Sequence, residues 1–271
     1  MKYACLIITI LAFSIISCSE NDSQVIEEEI IEIIDDVEMD DVEMDDSDNE
    51  ESSPKLLTKL TVDNYFYLLF FYNDDYTLDK IEGVFINQPH ENFTKQFHYL
   101  DGNIDYAEYI NPDGTPDGKE EYLYENNIIS ERRDTYVNED TGETIVSERF
   151  LYTFENENVS KISYIGANAS EISNIIEFQY DESNNVSTRS VTYLNNQNES
   201  STTEYLYDDF NNPLLNVEPK ILHIDDFFSF VNNVIQTTNS FTITHTYTYD
   251  DDGFPTKQEE QSTTYEYVYN R

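Results

Sequence analysis

The feature that most constrains this chain's fold is a module that recurs along its body. An aromatic residue, one intervening residue and a tyrosine run straight into a cluster of Asn, Asp and Gly. The clearest copy is Tyr205-Leu206-Tyr207-Asp208-Asp209-Phe210-Asn211-Asn212, and others end on Tyr72, Tyr99, Tyr124, Phe154, Tyr180 and Tyr249. The step between them is 25 to 30 residues up to Tyr207, then 42 to Tyr249. A step of about 26 residues accommodates two strands of about eight with their two connections. Residues i and i+2 of a strand share a face, so each aromatic pair presents one aromatic side. Asn, Asp and Gly accept positive φ, and the first two also bond their own backbone, which suits tight hairpins. A polar-alternating return strand follows each turn, as in Val159-Ser160-Lys161-Ile162-Ser163-Tyr164.

These signals predict an all-β domain: a long antiparallel meander of about 12 to 14 strands. A sheet wider than about ten strands seldom stays flat, so the meander is expected to curl into an open or half barrel. The alternation fails between Pro213 and Ser240. Within that stretch residues 224–231 are expected to form a short helix, with Asp225 or Asp226 near its N-terminus, where negative charge is favoured.

Three segments follow from composition. Residues 1–17 read as a signal peptide: a lysine, then an apolar run too short to span a bilayer comfortably. That run ends in Ile15-Ile16-Ser17-Cys18, which resembles the bacterial lipobox. The resemblance implies cleavage before Cys18 and acylation of that residue, hence a palmitate-type anchor in which several acyl chains give stable attachment. Residues 18–54 read as an acidic tether. Positions 19–54 carry 17 Asp or Glu and no Lys or Arg, with Asp36-Val37-Glu38-Met39-Asp40 repeated as Asp41-Val42-Glu43-Met44-Asp45. Such self-repulsion favours an extended, disordered spacer. Residues 55–271 form the β domain, which holds 39 of the 56 acids against 13 bases. A formal net charge of −42 excludes nucleic acid as a partner, since phosphates need Lys and Arg. The β domain has no cysteine, so it carries no disulfide.

The run Tyr205 to Pro213, followed after an irregular segment by Tyr247-Thr248-Tyr249-Asp250-Asp251-Asp252-Gly253-Phe254-Pro255, resembles the YD repeats of bacterial surface proteins. More narrowly, it resembles exported Bacteroidota lipoproteins with a YD-repeat-like, Rhs-related domain. The likeness covers about residues 60–271 and implies an all-β envelope protein without a known reaction. Acidic residues just after the lipidated cysteine are similar to the surface-export signals of such lipoproteins. They imply an outer-membrane anchor and a cell-surface position, with the periplasmic face as the alternative.

The chemistry-bearing motifs are sparse. Tyr205, Tyr207, Tyr247, Tyr249, Tyr265 and Tyr267 form either a core ladder or a stacking platform for a glycan or peptide ligand. Residues 111–118 and 250–253 resemble oxygen-rich calcium turns, but neither has the EF-hand spacing, so turn chemistry is the simpler reading. The four histidines are scattered, and no nucleophile elbow, phosphate loop or dinucleotide fingerprint is present. No catalytic, cofactor or metal residue is assigned, and a non-enzymatic role is favoured. The sequence therefore points to a cell-envelope lipoprotein that binds or scaffolds. The alternatives are a secreted hydrolase with its site in the irregular 213–240 segment, and a calcium-stabilised adhesin.

Overall fold

The computed structural model describes residues 53–138, 141–167, 169–195, 200–219 and 231–270. Sixteen antiparallel strands follow one another. They are β1 (Leu57–Val62), β2 (Phe66–Tyr72), β3 (Leu78–Phe85), β4 (Phe93–Leu100), β5 (Asn103–Ile110), β6 (Pro116–Glu125), β7 (Ile128–Val137) and β8 (Thr144–Glu155). The second half is β9 (Asn158–Ile165), β10 (Asn174–Tyr180), β11 (Val186–Tyr193), β12 (Ser201–Asn211), β13 (Asn232–Thr238), β14 (Thr242–Tyr249), β15 (Pro255–Glu260) and β16 (Thr263–Tyr269). Each strand pairs with its sequence neighbours, and β1 pairs with β16, so the sheet is a closed barrel.

Closure corrects the expected open or half barrel of 12 to 14 strands. The element that closes it is β1, which lacks the aromatic module and so gives no repeat signal. Leu60 faces Tyr267 and Val62 faces Tyr265 across the seam, leaving no open sheet edge. The expected helix at 224–231 lies outside the described residues except for Val231. Among those described, the helical element is one short 3-10 turn, Pro89–Glu91.

The module resolves into a repeated backbone device. At the end of each even strand from β2 to β14, a register shift falls just before the terminal aromatic: Phe71/Tyr72, His98/Tyr99, Leu123/Tyr124, Thr153/Phe154, Gln179/Tyr180, Leu206/Tyr207 and Thr248/Tyr249. The extra residue sits on the return strand as a β-bulge. A bulge turns two residues three positions apart on that strand to the same face. Leu78 and Ile81, Ile104 and Ala107, and Val159 and Ile162 are accordingly all buried. Where the bulged residue is Ser or Thr, its hydroxyl donates to a carbonyl that the shifted ladder leaves free. Ser160 reaches Thr153 at 3.1 Å, Ser187 reaches Gln179 at 3.2 Å and Thr256 reaches Thr248 at 3.1 Å.

The terminal tyrosine then locks the corner. Its hydroxyl donates to the main-chain carbonyl at the start of the preceding strand: Tyr72 to Leu57 at 2.6 Å, Tyr99 to Leu78 at 2.6 Å, Tyr180 to Val159 at 2.8 Å, and Tyr207 to Val186 at 2.6 Å. Two turn types recur between strands. Asp101-Gly102, Asn126-Asn127 and Asn156-Glu157 have positive φ at both positions, as a two-residue type I′ hairpin requires. The five-residue turns at 73–77, 111–115, 181–185 and 250–254 close through an N–H of the first residue donating to the carbonyl of the fifth, at 2.8–2.9 Å. The fourth residue has positive φ in each: Tyr76, Gly114, Asn184 and Gly253.

The two faces of the wall differ in chemistry. The inner face is aromatic and aliphatic, with Leu60, Leu68, Phe70, Ile81, Phe97, Tyr122 and Ile162 buried. Phe93 lies over Gly83 so closely that a Cβ there would fall 2.0 Å from its ring. The outer face carries charge at mid-strand around the circumference, including Glu82, Glu121, Arg133, Lys161, Glu204 and Lys257 in register with other polar residues. On it Glu131 accepts from Arg133 Nε at 2.7 Å and Arg149 Nε at 2.6 Å, and these guanidiniums hold its carboxyl down at about 2.

Candidate functional site

All the aromatic-turn modules lie at one end of the barrel, here the turn end, because even strands run in one direction. Residues 213–219, which follow β12, lie across that end. Leu214 and Val217 are buried in the main hydrophobic cluster, so residues 213–219 act as a strap drawn over the core. The Leu78 N–H donates to the Glu218 carbonyl at 3.0 Å, and Asn216 Nδ2 reaches the Lys55 carbonyl at 2.9 Å. The remainder of the irregular segment, 220–230, lies outside the described residues.

Towards the opposite, loop end the inner face turns polar. On β6, β7 and β8 three carboxylates stand in cross-strand register, Glu120 opposite Asp134 and Asp134 opposite Glu148. Two cations enter the same layer. Lys95 Nζ is 2.9 Å from Glu120 Oε2, and both side chains are less than a tenth exposed. Arg132 forms two parallel bonds to Asp134, at 3.0 and 3.3 Å, while its guanidinium lies 4.1 Å from the Phe150 ring centroid. Tyr109 and Tyr122 donate to the two Glu120 oxygens at 2.8 Å each, and Tyr164 donates to Glu148 at 2.8 Å.

The environments of these carboxylates push them apart. Burial alone raises Glu120, but Lys95 and Arg132 overcome it and hold the group at about 2. Burial raises Asp134 to about 7, with Glu120 and Glu148 adding to it against the pull of Arg132. Divergent acids in one enclosed layer are a physical mark of candidate sites.

A second polar run lies on the other side of the inner wall. Tyr267 donates to Gln258 Oε1 at 2.5 Å, so the Gln258 amide nitrogen faces His245 Nδ1, at 3.1 Å. That assigns Nδ1 as an acceptor and leaves Nε2–H to Thr237 Oγ1, 3.3 Å away. Burial lowers His245 to about 4, which keeps the imidazole neutral.

The tyrosines singled out from the sequence face inward. Tyr265 is buried, and Tyr205 and Tyr267 pack against the main hydrophobic cluster. Several spend their hydroxyls on the chain itself: Tyr207 on the Val186 carbonyl at 2.6 Å, Tyr247 on the Val234 carbonyl at 2.9 Å, Tyr267 on Gln258, and Tyr249 on the Asp208 carboxylate. They line a common interior without converging on one point. The turns considered for calcium have their carboxylates engaged. Asp113 accepts from the Thr115 N–H and hydroxyl at 3.0 and 2.6 Å. Asp250 Oδ1 accepts from two backbone N–H groups, while Lys55 Nζ sits 2.7 Å from both Asp250 and Asp252. Among the described residues, no three His, Cys, Asp or Glu side chains converge to hold a metal. Cys18 lies outside the described residues. Sequence reasoning missed the Glu120–Asp134–Glu148 layer because bulges and register, invisible in one strand alone, bring those residues together.

No family model and no curated protein matches the chain. Solved structures do resemble it. A porin-like protein from Bacteroides uniformis aligns with TM-score 0.50 at 12% identity, over 79% of this chain and 96% of that one. One from Bacteroides vulgatus gives the same score and identity, over 79% of this chain and 99% of that one. At this identity the likeness shows a shared barrel fold.

Proposed function

We propose that this protein is a cell-envelope lipoprotein whose barrel stands in water, tethered by acyl chains on Cys18 through the acidic segment 18–54. Its role in this reading is binding, with the polar inner layer at the loop end as the recognition site for a ligand. The observation that carries the reading is the distribution of charge across the wall. A membrane-spanning barrel needs an outward apolar band about 25 Å tall. Here charged residues occupy mid-strand positions on the outer face, while aromatic and aliphatic side chains are buried on the inner one alongside the polar layers.

The strapped turn end and the ionisable loop-end layer give the barrel a direction, and the tether joins it at the strapped end, next to β1. The likeness to YD-repeat-like exported lipoproteins and to porin-like barrels supports an outer-membrane or envelope position. The test is acyl labelling of cells that produce the parent chain or its Cys18→Ala variant. Label on the parent, none on the variant, and movement of the variant into the soluble fraction support the reading. A variant that stays in the membrane fraction defeats it.

A further inference from the structure

The module at Tyr249 departs from the others. At Tyr72, Tyr99, Tyr180 and Tyr207 the terminal hydroxyl binds the carbonyl that opens the preceding strand. On β13 the equivalent carbonyl belongs to Val234, and Tyr247 takes it at 2.9 Å, so Tyr249 donates to Asp208 instead. The cause lies in the pairing. β13 and β14 share three residue pairs, Gln236 with Thr244, Thr237 with Ile243 and Thr238 with Thr242, so the seam splays towards the turn end.

Side chains bridge the splayed part. Asp208 Oδ1 accepts from the N–H groups of Phe210 at 3.0 Å and Asn233 at 3.1 Å. Asn233 Nδ2 stands 3.3 Å from each Asp208 oxygen and 3.0 Å from the Asn211 carbonyl oxygen. All of these donors are neutral. Asn233 is 1% exposed, and its amide oxygen, bonded to the same carbon as Nδ2, has no hydrogen-bond partner. Leaving a buried amide oxygen without a partner is destabilising, and a bound cation would remove that cost.

We propose that this seam binds a divalent cation of the calcium type, held by the Asp208 carboxylate, the Asn233 amide oxygen and the Asn211 carbonyl oxygen. Hard cations of this kind collect six to eight oxygens, and carboxylate, Asn and backbone carbonyl oxygens are their usual protein ligands. A half-turn of the Asn233 amide exchanges its two ends and brings its oxygen to face the Asp208 and Asn211 oxygens. That arrangement repels itself unless a cation lies among them. Tyr249 holds the carboxylate through its Oδ2, and water completes the shell on the solvent side of half-buried Asp208. With a single carboxylate, the affinity belongs in the weak range of extracellular modules, about 10⁻⁴–10⁻³ M. The site is at the turn end, away from the loop-end layer, and does not rest on the binding role proposed above.

Calorimetric titration of calcium chloride into the chelator-stripped full chain, at about 0.15 M salt to screen loose carboxylate binding, tests it. The parent is expected to show a saturable site that Asp208→Asn removes. Asn233→Asp, which adds a ligand charge at the orphaned position, is expected to bind about tenfold tighter. Asp251→Asn, a change at an exposed neighbour outside the site, leaves the isotherm unchanged. A parent without a saturable site, an Asp208→Asn isotherm that superposes on the parent's, or an Asn233→Asp isotherm no tighter than the parent's overturns the proposal. The Asn233→Asp arm keeps the test decisive if Asp208→Asn fails to fold.

Discussion

The hydroxyl of Tyr99 lies 2.6 Å from the main-chain carbonyl of Leu78, the residue that opens the preceding strand. Tyr72, Tyr180, Tyr207 and Tyr269 make the same kind of bond, so one interaction explains why these strands end on tyrosine. Burial raises Tyr99 well above the usual phenol range, so its hydroxyl stays protonated and a donor at neutral pH. Tyr99→Phe keeps the packing and strips the donor from the buried end of β3. It should cost about 1 kcal/mol, read as a lower urea midpoint with an unchanged slope. The same change at Tyr193, which is 39% exposed, should leave the midpoint in place.

Buried charge in the loop-end layer predicts a larger effect. Lys95→Met removes the ammonium beside Glu120 and leaves a carboxylate that is almost fully enclosed. Breaking one side of such a pair typically costs about 3–5 kcal/mol, so the variant should unfold far more readily in urea. Adding Glu120→Gln should restore much of the loss, because the second change removes the stranded charge. A double variant no more stable than Lys95→Met would show that Glu120 is not the group left unpaired.

The same layer makes stability depend on pH in two opposite ways. Asp134 is raised when folded, from 3.8 to about 7, so its contribution is fully present below about pH 4 and fades as pH climbs towards 7. Glu120 is depressed, from 4.5 to about 2, so its contribution is present above about pH 4.5 and fades as pH falls towards 2. Linkage then predicts that Asp134→Asn flattens the decline between pH 4 and 7 and leaves the acid limb intact. Urea midpoints across that range, for parent and variant, measure both limbs.

Much of this architecture is readable from local residue patterns. The Tyr99 and Tyr180 modules, with Asp101-Gly102 and Asp181 as their turn signals, mark strand ends because turn chemistry is local. Closure was not readable. β1 has only Leu57, Leu60 and Val62 to offer, and its partner in β16 is about 200 residues away in sequence. The bulges hid in plain view. Val159-Ser160-Lys161-Ile162 breaks strict alternation, yet both aliphatic residues point inward because Ser160 is the bulged position. The polar layer was illegible for the same reason. Glu120, Asp134 and Glu148 are ordinary acids in an acidic sequence, and only the register of three strands sets them side by side.

In the proposed function the barrel stands in water with its apolar face inside. The most direct measurement is the bound detergent on the purified Cys18→Ala chain, obtained by light scattering combined with refractive-index and absorbance detection. A water-facing wall predicts a folded particle that stays in solution without detergent and binds none when detergent is added. A chain that is folded only inside a detergent belt would contradict the account.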